Sequence, residues 1–134
     1  MTMDYYIGQK DEFSKTITES DIYAFAGVSG DFNPVHVDCV KAAQTVFKKQ
    51  IAHGLLSASL ISTVIGTKMP GNGTIYLGQN LKFIKPVFIH DTLTAEVEIT
   101  DIQDNKRATL KTQVFNQNFE MVIDGEATVI LPNR

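Results

Sequence analysis

The run Gly54-Leu55-Leu56-Ser57-Ala58-Ser59-Leu60-Ile61-Ser62-Thr63-Val64-Ile65-Gly66-Thr67 carries no charge, and its only polar side chains are Ser and Thr. Leu55, Leu56, Leu60, Ile61, Val64 and Ile65 fall on every side of a helical wheel, the mark of a helix that is buried. As a helix it spans about 21 Å, short of the roughly 30 Å of a bilayer's hydrocarbon core. The rest of the chain must therefore supply something that surrounds it.

Beyond this helix the sequence alternates with a period of two. After Pro70-Gly71-Asn72-Gly73, the residues Leu77, Leu81 and Phe83 mark a first strand. Leu93, Ala95, Val97 and Ile99 then alternate with Thr94, Glu96, Glu98 and Thr100, a strand with one wet face. Asp104-Asn105 predicts a turn, Ala108, Leu110, Thr112 and Val114 alternate again, and residues 122–131 predict a last strand bulged near Gly125. An antiparallel sheet paired with one fully apolar helix must curl around it. The expected fold class is α+β, with hotdog architecture.

Upstream of the helix, residues 7–16 predict a short strand. Thr18 with Asp21 offers a capping box for a helix over residues 19–28, with Ile22, Phe25 and Ala26 on one face and Gly30 as its stop. A second helix is predicted over residues 38–47, with Val40, Ala43 and Phe47 facing inward. No linker, repeat or low-complexity run divides the chain, so residues 1–134 read as a single domain.

Composition bounds the function. Twelve Lys and Arg against fifteen Asp and Glu leave a net charge of −3, so no basic excess exists to neutralise a phosphate backbone and no nucleic-acid partner is expected. Hydrophobic residues at 43% with mean hydropathy near zero indicate a soluble globular chain with no membrane partner. The lone Cys39 rules out an internal disulfide. Residues 1–6 lack the basic-then-apolar pattern of a secretory signal, so a cytoplasmic location is expected.

Two local sequences can do chemistry. In Asp31-Phe32-Asn33-Pro34-Val35-His36-Val37-Asp38, Pro34 disfavours helix at Asn33 and predicts an extended loop. Asp31 and His36 there suit a general acid–base pair, although by residue type and spacing alone a turn cap and a satisfied core histidine fit somewhat better. In Ile51-Ala52-His53-Gly54, the start of the buried helix offers unpaired N–H groups for an oxyanion, or else Gly54 is only a crowded entry turn. Ser57, Ser59 and Ser62 fit no nucleophile elbow, and serine in a buried helix usually bonds back to a carbonyl. His36, Asp38 and His53 match no zinc spacing, so no metal is expected.

Together with His53-Gly54, the Asp31–Asp38 motif resembles the hydratase motif of the MaoC-like family, and most nearly its short (R)-specific enoyl-CoA hydratases. The likeness extends from Gly8-Gln9 to the final strand, through residues 70–79 and Phe83-Ile84-Lys85-Pro86-Val87. One departure is His90-Asp91, where relatives often carry Gly-Asp. The resemblance implies reversible hydration of trans-2-enoyl-CoA to (R)-3-hydroxyacyl-CoA, with no cofactor beyond the CoA of the substrate. It implies Asp31 and His36 as the catalytic pair around one water, Gly54 N–H on the thioester oxygen, and substrate contacts from Asn33, His53, Ser62 and Ile65. It also implies a homodimer. Competing readings are a hotdog acyl-CoA thioesterase, a 3-hydroxyacyl-acyl-carrier-protein dehydratase and a non-catalytic acyl-CoA-binding module. The first usually needs a carboxylate on the central helix, and residues 55–67 contain none.

Overall fold

In a computed structural model that describes residues 4–132, the chain runs β1 (Lys10–Thr16), α1 (Glu19–Ser29), α2 (Pro34–Val37), α3 (Cys39–Ala43), α4 (Gly54–Thr67), β2 (Ile75–Phe83), β3 (Thr92–Gln103), β4 (Arg107–Phe115) and β5 (Met121–Ile130). Half of the amino-terminal segment that lacks a signal pattern, residues 1–3, lies outside the described residues. All strands are antiparallel in one sheet of order β1-β3-β4-β5-β2. The central helix α4 has the expected bounds and packs on β3, β1 and β4. This is the hotdog fold.

The core forms where the two periods meet. Leu93, Ala95, Val97 and Ile99 of β3 and Ala108, Leu110 and Val114 of β4 are fully buried against Leu60, Ile61, Val64 and Ile65 of α4. The helix is not enclosed on all sides, however. Leu55, Ser59, Ser62 and Gly66 form an exposed stripe, because the sheet covers one flank of α4 and leaves the other open. No helix among the described residues is long and apolar enough to cross a membrane.

Local signals account for most element ends. Thr18 and Asp21 make both halves of the capping box, and Gly30 closes α1 at φ 80°. Asp104 and Asn105, at φ 53° and 54°, turn β3 into β4 with both residues left-handed, as tight hairpins require. His90 sits at φ 78°, which explains why a glycine suits that turn.

Three expectations fail. Residues 34–37 are a helical turn and not an extended loop: Asn33 is extended, but Pro34 takes the first helical position, where its missing N–H does no harm. The helix after Asp38 ends at Ala43, and it buries Ala42 while Val40 and Ala43 face out. Gly125 marks no bulge; register shifts fall at Tyr76/Gly78, Ile99/Asp101 and Val114/Phe115. A Cβ on Gly125 would lie 2.2 Å from the Asn80 carbonyl oxygen, so that glycine answers to close approach of β2.

Candidate active site

Residues 51–53 cross the molecule like a clasp. Ala52 N–H donates to the Val87 carbonyl at 2.7 Å and Ile51 N–H to the Val35 carbonyl at 3.2 Å. The Ile51 carbonyl accepts from His36 Nδ1 at 2.8 Å. A carbonyl only accepts, so His36 carries its proton on Nδ1 and keeps Nε2 free. Gln50, also buried, donates to the His36 carbonyl at 2.7 Å. Nothing in the sequence singled it out, since an isolated Gln among charged residues reads as surface.

Asp31 is held by its own neighbourhood. Its N–H donates to Ser29 Oγ and its Oδ1 accepts from Asn33 N–H, each at 3.1 Å. Asn33 in turn caps α2 by accepting from Val35 N–H. The three side chains Asp31, His36 and His53 each offer an atom within 4.8 Å of the other two. The rings of His36 and His53 stack at 3.9 Å with planes 27° apart. Asp38 is occupied elsewhere, capping α3 through Val40 and Lys41 N–H groups.

These groups border a cavity of about 710 Å³ whose wall is largely apolar, with Phe25, Phe47, Phe83, Val87 and Ile123 among its residues. Gly54 lines it at the start of α4, which no side chain caps. A Cβ there would come within 2.7 Å of the Phe83 ring. The first N–H groups of α4 thus meet the cavity with the positive end of the helix dipole behind them.

Of the expected residues, Asp31, His36, His53 and Gly54 come together on the cavity. Asn33 is exposed and outside it, spending its side chain on the α2 cap. Ser62 faces out from α4, and Ile65 is buried in the core; neither lines the cavity. Ser57, expected to bond backward, instead lines the cavity with an unpartnered Oγ, while Ser59 and Thr67 make the backward bond. Its signal was positional: three residues after Gly54 puts it on the same helix face.

The family model of the MaoC-like domain matches residues 5–121. The chain belongs to the MaoC-like family. Curated relatives include the (R)-specific enoyl-CoA hydratase of Rhodospirillum rubrum, 50% identical over 95% of this chain and 88% of its own length. The (R)-specific enoyl-CoA hydratase of Aeromonas caviae is 48% identical over 94% and 95%. Among solved structures, R-hydratase PhaJ1 of Pseudomonas aeruginosa superposes with TM-score 0.93 at 48% identity, covering 97% of this chain and 84% of that one.

Proposed function

We propose that the chain is an (R)-specific enoyl-CoA hydratase, adding water reversibly to trans-2-enoyl-CoA. The observation that carries this reading is the approach of the Asp31 carboxylate and the His36 ring within 4.8 Å of each other beside the open start of α4. A separation of that size or less is within the span of one water bonded to both groups at about 2.8 Å.

In the reaction, Asp31 chiefly takes a proton from that water as its oxygen bonds to C3. The pair returns a proton to C2, with His36 assisting through Nε2, so one water is consumed and the site ends as it began. Negative charge grows on the thioester oxygen in between. The Gly54 N–H meets it there, an interaction typically worth about 3 kcal/mol. Neither a metal nor a redox group enters this scheme, and the apolar cavity takes the acyl chain. The absence of Asp and Glu from residues 55–67 weighs against the thioesterase alternative. The test is hydration of trans-2-enoyl-CoA across chain lengths with chiral analysis of the product. Release of free thiol from saturated acyl-CoA without hydration would replace this reading with the thioesterase.

The working form is a cytoplasmic homodimer. The two edges of the sheet support the dimer: β1 alternates Lys10, Asp11, Glu12 and Lys15 along its length, whereas β2 exposes Ile75, Tyr76, Leu77 and Phe83. Charges protect an edge from pairing; an apolar edge invites it. The open stripe of α4 and exposed Leu55 and Ile84 continue that surface to the cavity. Light scattering at micromolar concentration should give twice the 14.8 kDa chain mass, and a mass of one chain would refute the dimer.

A further inference from the structure

His53 is 2% exposed and its ring meets two others, Phe25 at 4.8 Å and His36 at 3.9 Å between centroids. Its Nε2 donates to the Asp31 carbonyl at 2.9 Å. That carbonyl can only accept, so the His53 proton sits on Nε2. Every other hydrogen bond of Asp31 is local, to Ser29 or Asn33. The His53 bond, spanning 22 residues, is therefore the tie between Asp31 and the rest of the site among the described residues. His53 is also the N-cap residue of α4, fixed by the helix whose next residue is Gly54. One ring thus touches both members of the acid–base pair and is anchored to the proposed oxyanion donor.

We propose that His53 is a positioning residue: it sets the distance between Asp31 and His36 from the helix that carries Gly54, and does not contact substrate. The proposal rests on the hydratase reading. His53→Phe keeps a ring against Phe25 and His36 but removes the donor; His53→Gln restores a donor at about the Nε2 position without the ring. Misplacement of reacting groups by about 1 Å costs on the order of 10²-fold, so His53→Phe should lower kcat by about that factor with KM within about threefold. His53→Gln should recover about tenfold or more of the loss. A folded His53→Phe protein with near-normal kcat overturns the proposal, as does a loss carried by KM, or a His53→Gln variant no better than His53→Phe. Asp31→Asn run alongside separates the two levels: if it keeps full turnover, the hydratase mechanism itself fails, whereas loss there with none in His53→Phe sinks only the role of His53. A measurement that needs no variant is the ¹⁵N spectrum of the histidine rings in the wild-type protein. A proton on Nε2 of His53 supports the tie to Asp31, and a proton on Nδ1 in the neutral ring overturns it.

Discussion

Between residues 29 and 38 the chain is tied to itself by short side-chain bonds, from Ser29, Asp31, Asn33 and Asp38 to nearby N–H groups, and most of its residues are exposed. β3 and β4 are held the other way, by fully buried Leu93, Val97, Ile99, Leu110 and Val114. Burial sets stability with little regard for fine geometry, while the loop's bonds set geometry and add little to stability. Substitutions in the two regions should therefore move different observables.

The largest separation is expected at the proposed acid–base pair. Asp31→Asn retains an oxygen for the Asn33 N–H, and His36→Gln retains bulk, so both should fold. Each should lose about 10²–10⁴-fold in turnover. The double variant should be little worse than the poorer single one, because both losses fall on one transition state. Turnover and melting temperature on the same preparations check this. Melting losses that account for the activity losses would merge the two regions into one.

The converse substitution is Leu110→Ala in β4. Removing a fully buried leucine costs about 2–5 kcal/mol, and denaturant titration should show it, while turnover per folded molecule stays near normal. At the junction of the two regions, Gly54→Val keeps the N–H but pushes a side chain into the Phe83 ring, 2.7 Å from the Cβ position. Phe83 is half-exposed and can swing toward the cavity. The expected result is about 10²-fold lower turnover with modest destabilisation; full activity would remove Gly54 from the site.

The smallest effect is on α1. Burial alone would raise the Asp21 carboxyl, but the Thr18 N–H, Lys15 and the Thr18 hydroxyl outweigh it and hold the pKa below 3.8. Its contribution is thus present above the unfolded value and lost as pH falls through the lowered folded one. Asp21→Asn should destabilise at neutral pH, and its difference from wild type should shrink in acid. Thr18→Ala should cost about 1 kcal/mol.

Legibility in the sequence divides along the same line. The buried faces of β3 and β4 are legible because long periodic runs average over many contacts, and α4 because fourteen residues carry no charge and are apolar all round. Short pieces do not: α3 is five residues, too few for a period to say whether Ala42 or Ala43 turns inward. Pro34 forbids helix at Asn33 and also starts a helical turn, and the sequence alone does not say which effect governs residues 34–37. In the site, Asp31, His36 and Gly54 stood out by type and spacing. The contacts that hold them, His53 to the Asp31 carbonyl and His36 to the Ile51 carbonyl, join a side chain to a distant backbone. No residue type announces such a backbone partner.

The exposed edge of β2 has a cost outside catalysis. Ile75–Phe83 contains no proline, and only Lys82 and the irregularity at Tyr76/Gly78 oppose sheet growth along it. If the proposed dimer forms, each newly folded chain presents this open template until a second copy covers it. Solubility then hangs on assembly: a substitution that blocks pairing without adding charge to β2 should leave a folded enzyme that precipitates on concentration, while a lysine placed at Leu77 should keep the unpaired chain in solution.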